Sequence, residues 1–349
     1  MKILLTADPE IPVPPNLYGG IERIIDVLVN GYVALGHDVT LFAHADSKVP
    51  CRLISWKGAQ STGLRNTLLN TAQLFSHALK EQYDVVHSFS RLAYLTPLLP
   101  LGVAKVMSYQ REPTLSQIGK ATQLAKKDTL IFTGCSNYIT NQIKSLAQAV
   151  TVYNCVPIGK YDFSDALPDD APLMFLGRIE HIKGTHIAVE VAIQTNRQLI
   201  IAGNIPAGEE AYFNEKIKPF LNDRIRYVGP VNDEQKNELL GQSAAFLMPI
   251  QWNEPFGIVM AEAMACGTPV LGFPFGSVPE VVEDGLTGSV CQDVEEMILR
   301  INELPGINRK RVREAAENRF SDKIIVNEYL GLYRQHCKRY SQSRLKENA

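Results

Sequence analysis

The sequence has no apolar run long enough to cross a membrane, and it has no paired cysteines. The stretch Leu95–Val103 is interrupted by Pro97 and Pro100, whereas a membrane-spanning helix needs about 20 apolar residues. Six cysteines are scattered without a C-x-x-C pair, which argues against a disulfide framework and a zinc ribbon. A chain of 349 residues can bury a core without crosslinks. We therefore expect a cytoplasmic protein of two domains with reduced, mostly buried thiols.

The sequence also lacks a large net charge, but its two halves differ in sign. The formal total is −2, yet residues 1–157 contain 14 Lys and Arg against 10 Asp and Glu, and the remainder 21 against 27. The basic half permits weak peripheral contact with anionic lipid at the inner membrane face, with a solvated surface as the alternative. No nucleic-acid partner is expected. The cations considered for lipid contact are Lys105, Arg111, Lys120, Lys126 and Lys127.

Short apolar runs alternate with helix-length segments in both halves. After the first run, a Pro-rich loop leads to Gly19-Gly20, and the apolar residues from Ile21 to Leu35 recur at helical spacing until Gly36. This alternation predicts an α/β fold with a doubly wound parallel sheet in each half. The chain would then form two Rossmann-like domains that face a central cleft. The predicted strands cover residues 2–7, 37–42, 83–87, 105–109, 129–133, 172–176, 198–203, 225–229, 245–249 and 269–272.

The segment 157–172 contains three prolines and four aspartates, which predicts an interdomain linker. We place an N-terminal domain at residues 1–157 and a C-terminal domain at residues 158–320. Residues 321–349 are predicted to form a helix that packs back toward the first domain, with a frayed end from Ser341. Because open α/β sheets bind ligands at the carboxyl ends of their strands, the predicted site lies between the domains.

Two loops that follow predicted strands carry candidate anion contacts. Tyr18-Gly19-Gly20 places two glycines at a helix start, where free N–H groups can meet an anion; a tight turn without a ligand is the alternative. Arg178 and Lys183 flank the loop after strand 172–176, and both can approach one diphosphate, unless they form a solvated surface. The fingerprints G-x-G-x-x-G and G-x-x-x-x-G-K-[ST] are absent at the first loop, which disfavours a dehydrogenase or an NTPase.

The most informative stretch is Trp252–Gly267. Pro255 suits the first position of a helix and Gly267 its end. On such a helix, Glu254 and Glu262 stand about 12 Å apart at ~1.5 Å per residue, close to the separation of a sugar from a ribose joined by a diphosphate. The two carboxylates can accept hydrogen bonds from hydroxyls at each end, while amides at the helix start face the charged middle. The alternative is one acidic residue favoured by the helix dipole and one exposed glutamate.

These motifs resemble those of the retaining glycosyltransferases of family 4, which have the GT-B fold. Glu254 to Glu262 is similar to the family's E-x7-E motif, Gly177-Arg178 with Lys183-Gly184 to its G-R-x4-K-G loop, and Tyr18–Arg23 to its first glycine loop. The blocks occur in the family's order, and the resemblance covers nearly the whole chain. It is strongest from residue 172 to residue 290.

The resemblance implies a role for each matching residue. Glu262 binds the ribose hydroxyls, Glu254 binds a hydroxyl of the donor sugar, and Arg178 with Lys183 neutralises the leaving diphosphate. Family members retain the anomeric configuration without a clear protein nucleophile, so none is named here. The other donor-binding positions that it implies are Gly19, Gly20, Gly203, Val231 at the end of the 228–231 loop, Phe256, Gly257 and Ile258.

One departure concerns the end of the strand at 83–87. Family members often carry His-x-His there, with the second His beside the donor sugar, whereas this chain has His87-Ser88-Phe89. His87 is therefore either a catalytic-side residue or a satisfied strand-end histidine. Arg111, at the next strand end, is a candidate for acceptor or phosphate contact. The runs 87–91 and 108–112 resemble cyanobacterial members that build envelope or exopolysaccharide.

The leading hypothesis is a retaining hexosyltransferase that moves glucose or a related sugar from a UDP-sugar to a saccharide or lipid-linked acceptor. No Asp-x-Asp occurs, and Arg178 with Lys183 can replace a divalent ion, so we expect a metal-independent enzyme. No cofactor is expected, because the nucleotide sugar is a co-substrate. The alternatives are a nucleotide-sugar epimerase of the same fold and a non-catalytic nucleotide-sugar binding protein.

Overall fold

The computed structural model describes residues 1–15 and 19–347, with side chains up to residue 340. The chain divides into two compact units. Unit 1 contains Met1–Cys155 together with the chain from Asp322 onward, and unit 2 is Val156–Ser321. The backbone therefore passes between the units twice, within two residues of each domain boundary that we placed from the sequence.

Unit 1 is built on a parallel sheet with the strand order β3-β2-β1-β4-β5-β6-β7. β1 pairs with β2 on one side and β4 on the other, so the strand order reverses at β1 as in a doubly wound sheet. The strands are β1 Lys2–Thr6, β2 Asp38–Ala43, β3 Arg52–Ser55, β4 Val85–Ser88, β5 Ala104–Tyr109, β6 Leu130–Gly134 and β7 Ala149–Thr151. The helices are α1 Gly20–Ala34, α2 Leu64–Lys80, α3 Leu92–Leu95, α4 Leu115–Leu124, α5 Asn137–Lys144 and, at the end of the chain, α13 Asp322–Glu347.

The core of unit 1 follows from two sequence patterns. Ile3, Leu4 and Leu5 are fully buried, as expected of a strand covered on both faces of a parallel sheet. The helical spacing after Gly19 gives α1, which ends before Gly36. α13 packs against α1 and β5. The backbone of α13 stays helical to Glu347, beyond Ser341 where we expected fraying.

Unit 2 has a second parallel sheet with the order β10-β9-β8-β11-β12-β13. Its core is a cluster of buried aliphatic residues that includes Leu173, Leu199, Leu247 and Leu271 from four adjacent strands. The strands are β8 Leu173–Leu176, β9 Leu199–Ala202, β10 Ile225–Gly229, β11 Ala245–Met248, β12 Val270–Gly272 and β13 Gly288–Val290. The helices are α6 Thr185–Gln194, α7 Glu210–Lys216, α8 Asp233–Gly241, α9 Ile258–Ala265, α10 Val278–Val281, α11 Val294–Ile301 and α12 Arg309–Phe320.

The predicted α/β fold with two doubly wound sheets is confirmed, but three strands were missed. β3, β7 and β13 each lie at an edge of a sheet. An edge strand pairs on one side only, so it needs no long apolar run. The side chains of β3 and β7 are only partly buried or exposed, which explains why their sequences gave no strand signal.

The predicted linker at 157–172 is not a free connection, because its first part is folded onto unit 2. Tyr161 is 8% exposed, and Asp162 N–H donates to Asn237 Oδ1 at 2.9 Å. Arg313 donates to the carbonyls of Ile158 and Tyr161. The segment lacks periodicity, and we interpreted it as a linker for that reason. An irregular segment that is held by side-chain hydrogen bonds also lacks periodicity, so the sequence pattern does not distinguish the two.

No helix within the described residues is both long enough and apolar enough to span a bilayer.

Candidate functional site

The loops that follow β8 and β9 touch through their glycines. Gly177 N–H donates to Ala202 O at 3.1 Å, and a Cβ on Gly203 would lie 1.7 Å from the Gly177 oxygen. Gly203 also has φ +141°, where other residues are strained. Only glycine fits at this position, so the two strand ends are held at backbone distance.

Lys183 and Glu254 form an ion pair at the ends of β8 and β11. Lys183 Nζ lies 2.7 Å from Glu254 Oε2, and the side chains are 17% and 14% exposed. The same ammonium lies 4.8 Å from the centroid of the Trp252 ring, within cation–π range. The sequence placed these two charges at different parts of a ligand. In the structure they neutralise each other.

Backbone geometry fixes where Lys183 stands. Gly184 follows it in the left-handed conformation, with φ 75°, and is the N-cap of α6. A Cβ on Gly184 would meet Pro249 O at 1.9 Å, so the loop lies directly against the chain that leaves β11. Arg178, the other predicted cation, lies 3.0 Å from Glu180 Oε1 and is 38% exposed. Both cations of this loop therefore have a carboxylate neighbour.

The prediction that one helix begins at Pro255 and carries both glutamates is wrong. α9 begins at Ile258, with Gly257 as the N-cap at φ 70°, and Glu254 lies in the preceding loop. The buried Phe256 packs edge-on against Phe320, with ring centroids 5.5 Å apart. This contact anchors the loop, and the left-handed Gly257 then sets the start of the helix. The helical 12 Å separation of the two carboxylates therefore does not apply.

Glu262 is a buried carboxylate with two donors on one oxygen. It is 6% exposed, and its Oε1 accepts hydrogen bonds from Lys236 Nζ at 2.5 Å and from the Tyr161 hydroxyl at 2.7 Å. Sequence reasoning missed both donors. Lys236 lies in α8, whose polar sequence is typical of an exposed helix, and Tyr161 lies in the segment that we interpreted as a linker.

The remaining positions of unit 2 that were predicted to bind the nucleotide sugar lie at neighbouring strand ends. Gly203 N–H donates to Gly229 O at 2.9 Å, and the Tyr227 hydroxyl donates to Gly203 O at 2.8 Å. Val228 is 43% exposed, and Val231 is half-buried. The structure thus brings Gly203 and the 228–231 loop together, as the prediction of a shared binding region requires.

His87 is a satisfied strand-end histidine, which corrects its assignment as a catalytic-side residue. It is fully buried; Nε2 lies 2.6 Å from Ser108 Oγ and Nδ1 lies 2.5 Å from the Tyr333 hydroxyl. Burial lowers the pKa of the imidazole to about 3, so the ring is neutral at ordinary pH. Both nitrogens are occupied, and Phe89 and Tyr329 cover the ring.

The first glycine loop is partly visible. Tyr18 lies outside the described residues, whereas Gly19 is the N-cap of α1 and Gly20 its first residue. Glu22, in the first turn, is buried, and burial raises the pKa of its carboxyl. An acidic side chain therefore stands at the helix start where we predicted an anion contact.

Arg111 pairs with a carboxylate that the sequence did not suggest. Its Nη2 lies 3.3 Å from Asp8 Oδ2, with the arginine side chain 69% exposed. Burial raises the pKa of the Asp8 carboxyl to about 6, against the opposing effect of the Arg111 guanidinium. Asp8 follows β1 just as Arg111 follows β5, so the pair stands at the carboxyl edge of the sheet in unit 1.

Lys105 cannot contribute to a lipid-facing surface, which corrects that prediction. It is fully buried, and its Nζ donates to Leu101 O at 2.7 Å and Val103 O at 2.9 Å. Burial lowers the pKa of this ammonium to about 7. Lys126 Nζ lies 5.8 Å from the Tyr340 ring centroid. Lys120 and Lys127 are exposed.

Across the described residues, no group of three or more His, Cys, Asp or Glu is placed to hold a metal ion. His181 and His186 stack in the loop beside Lys183, with ring centroids 4.8 Å apart. His186 Nδ1 is 2.8 Å from the Tyr212 hydroxyl. The expectation of a metal-independent enzyme stays a prediction.

Two doubly wound parallel sheets, each in its own compact unit, define the class of the protein as a GT-B glycosyltransferase fold. The family model for "Glycosyl transferases group 1" matches residues 160–319, and that for "Glycosyltransferase Family 4" matches residues 18–111. Glycosyltransferase family models thus match parts of both units, and the resemblance of the motifs to the glycosyltransferases of family 4 is confirmed.

Several known proteins are similar to nearly the whole chain. Spore coat protein SA from Bacillus subtilis is 24% identical, with 96% of this chain and 100% of that protein covered. Sucrose-phosphate synthase from Thermosynechococcus elongatus has a TM-score of 0.80 at 20% identity, covering 96% of this chain and 98% of that chain. HepE from Anabaena, solved with UDP and glucose, has a TM-score of 0.74 at 19% identity, covering 96% and 100%. Both solved structures are cyanobacterial, and at this identity they show the fold alone.

Proposed function

We propose that the protein is a retaining hexosyltransferase that transfers a hexose, glucose first, from a UDP-sugar to a saccharide or lipid-linked acceptor in polysaccharide biosynthesis. The observation that carries the proposal is the 2.7 Å ion pair between Lys183, in the loop after β8, and Glu254, in the loop before the helix that holds Glu262. This pair supports assigning the cation to a diphosphate and Glu254 to a sugar, with Glu262 assigned to the ribose.

In this proposal, donor binding exchanges the partners of Lys183. Without a donor, Glu254 balances the ammonium; with a donor, the ammonium moves to the diphosphate, and Glu254 is released to accept a hydrogen bond from the sugar. Lys183, together with Arg178, then stabilises the charge that develops on the leaving diphosphate. These cations supply the charge that a divalent ion would otherwise supply, and no cofactor is proposed.

The chemical step breaks the bond between the anomeric carbon and the diphosphate oxygen. The acceptor hydroxyl forms the new bond on the same face of the sugar, and its proton passes to a donor phosphate oxygen. The products are the glycosylated acceptor and UDP. No protein nucleophile takes part in this sequence, and the buried His87 has no role in it.

The choice of donor is supported by one similar structure, since HepE was solved with UDP-glucose and with UDP and glucose. The choice of a saccharide or lipid-linked acceptor is supported by the resemblance of residues 87–91 and 108–112 to envelope enzymes. A cytoplasmic location with weak contact at the inner membrane face is also proposed, because residues 1–157 contain 14 Lys and Arg against 10 Asp and Glu. Of the cations considered for that contact, Arg111, Lys120 and Lys127 are exposed.

The test is turnover by the wild type and by Lys183→Met. The purified protein is incubated with UDP-glucose and a panel of saccharides, and released UDP and the anomer of the product are followed by NMR. We expect an axial product from the axial donor, and a fall in turnover of about a hundredfold in Lys183→Met, because removing a preorganised charge costs ~2.7–4 kcal/mol in the transition state. Lys310→Met, an exposed lysine of the same unit, is the control.

Three results would contradict the proposal. Conversion of UDP-glucose into another UDP-sugar without an acceptor would identify an epimerase. UDP binding without turnover of any donor sugar would identify a binding protein. Wild-type turnover in a stably folded Lys183→Met would remove this lysine from the diphosphate site.

A further inference from the structure

We propose that Lys236 and Tyr161 are positioning residues that hold one oxygen of Glu262, so that its other oxygen, Oε2, alone faces the ribose of the nucleotide. This inference rests on the proposed function, which assigns the ribose to Glu262. It adds two residues and a specific geometry to that assignment.

Both donors reach the same oxygen from different elements. Lys236 Nζ in α8 is 2.5 Å from Glu262 Oε1, and the Tyr161 hydroxyl, from the segment before β8, is 2.7 Å from it. Residues 161, 236 and 262 are each no more than 8% exposed. Such burial leaves little room for the three side chains to change rotamer, so the carboxylate plane is fixed.

The two donors are themselves held in place. Arg313 Nη1 donates to Tyr161 O at 2.7 Å. Asp162 and Asn237 exchange two hydrogen bonds, of 2.9 and 2.8 Å, and so join the neighbours of Tyr161 and Lys236. A second carboxylate, Asp233, also lies 3.2 Å from Lys236 Nζ, but its side chain is 57% exposed, so this surface contact contributes little to the support. The segment before β8 and helix α8 thus form one hydrogen-bonded support for Glu262.

The pattern leaves one acceptor unused. A carboxylate has about four lone-pair sites, two on each oxygen, and Oε1 already accepts from two donors. In the described part of the chain, no group donates to Glu262 Oε2. The Lys236 ammonium, 2.5 Å from Oε1, balances the charge of the buried carboxylate. The ribose hydroxyls are therefore received by Oε2.

A merely structural ion pair and a positioning pair predict different binding behaviour. If Lys236 and Tyr161 only stabilise the fold, their loss lowers the affinity for every uridine nucleotide by the same factor. If they aim Glu262, their loss selectively removes the contribution of the ribose hydroxyls. The comparison of UDP with 2′,3′-dideoxy-UDP, which lacks both hydroxyls, separates the two roles.

The experiment measures the affinity for both nucleotides by titration calorimetry in the full chain. The variants are Lys236→Met, Tyr161→Phe, Glu262→Gln and the double variant Lys236→Met/Glu262→Gln. Asp233→Asn is the matched control, because it removes the other carboxylate at Lys236 and leaves both bonds to Glu262. Thermal unfolding of each variant is recorded first, and Tyr161→Phe, which deletes one hydroxyl only, serves if Lys236→Met does not fold.

We expect Lys236→Met to lose about tenfold in UDP affinity, equivalent to ~1.4 kcal/mol, with the affinity for 2′,3′-dideoxy-UDP unchanged. Tyr161→Phe should lose about threefold, because it removes one hydrogen bond to the carboxylate and leaves the Lys236 contact in place. The double variant should lose no more than Glu262→Gln alone, since residues that act through one group are not additive. Asp233→Asn should match the wild type.

The results also distinguish which claim fails. If Glu262→Gln binds UDP like the wild type, the ribose assignment fails, and with it the proposed donor site. If Glu262→Gln loses the discrimination between the two nucleotides while Lys236→Met and Tyr161→Phe keep it, the proposed function stands and the positioning role is wrong. Equal losses for both nucleotides, or additive losses in the double variant, also contradict positioning.

Discussion

Lys183, Arg178 and Glu262 each lie within 3.0 Å of an oppositely charged side chain. A charge that is removed from water needs such a partner, because its desolvation is otherwise unfavourable by several kcal/mol. For Lys183 and Glu254 the partner is the other predicted ligand contact. For Glu262 the partner is Lys236, which we assign to its support. In our proposal, a ligand exchanges the partners of Lys183 and Glu254, whereas Glu262 and Lys236 stay paired.

His87 provides a test of that distinction, because it is buried without a charged partner. Replacing it with Phe leaves Ser108 Oγ and the Tyr333 hydroxyl without their partner in the core. We expect a loss of about 2–3 kcal/mol in the free energy of unfolding, measured by urea denaturation, with UDP affinity unchanged. A stable variant with lost turnover would instead return His87 to the catalytic machinery.

The pH dependence of the free energy of unfolding provides a second part of the His87 test. The folded-state pKa is about 3, below the ordinary value of about 6.5, so the unfolded chain binds the proton first. The contribution of neutral His87 to stability is therefore present above about pH 6.5 and declines as the pH falls toward 3. In His87→Phe, the number of protons that the chain takes up on unfolding in this pH window should be lower by about one than in the wild type.

Several loops meet at the carboxyl edge of the sheet in unit 2, and they approach one another closely because glycines lie at the points of contact. At Gly203 an added Cβ would lie 1.7 Å from Gly177 O, and at Gly184 it would lie 1.9 Å from Pro249 O. The obstructing atoms are backbone atoms, which cannot move away as a flexible side chain can. The loops after β8, β9 and β11 are therefore fixed relative to one another.

Gly203→Ala should consequently disturb the site as well as the fold. We expect a loss of more than about 2 kcal/mol in unfolding free energy, from the clash together with the strained φ, and weaker UDP binding in whatever folds. Gly306→Ala is the matched control, because a Cβ there has open space and ordinary φ. Wild-type stability and UDP affinity in Gly203→Ala would show that the two strand ends are not held at backbone distance.

At the scale of elements, the sequence predicted the central strands well, and it predicted the helix around Glu262 poorly. Central strands such as β1 and β11 are buried on both faces, so their apolar runs are unbroken. Pro255 suits a helix start, but the burial of Phe256 and the left-handed Gly257 delay α9 to Ile258. Lys236 and Tyr161 could not be found from the sequence, because their partnership with Glu262 is tertiary and follows no spacing rule.

For the whole molecule, the two units are not two uninterrupted halves of the sequence, because the chain returns to unit 1 after Ser321. The C-terminal helix α13 belongs to unit 1 although the segment before it belongs to unit 2. Its Tyr329 and Tyr333 are buried in unit 1, where Tyr333 contacts both Tyr32 and His87. The family motifs predicted the class of protein, and the donor half of the site stays a prediction. The acceptor side has fewer predicted residues, and of these His87 is a core residue.

The central claim is that unit 2 binds the nucleotide sugar by exchanging the Lys183–Glu254 pair. A crystal structure of the full chain with UDP-glucose tests it most directly. We predict that Lys183 Nζ leaves Glu254 and lies about 3 Å from a diphosphate oxygen, at ordinary hydrogen-bond distance, with Glu254 on the sugar and Glu262 Oε2 on the ribose. UDP-glucose bound elsewhere, or bound with the 2.7 Å Lys183–Glu254 contact unchanged, would contradict the claim.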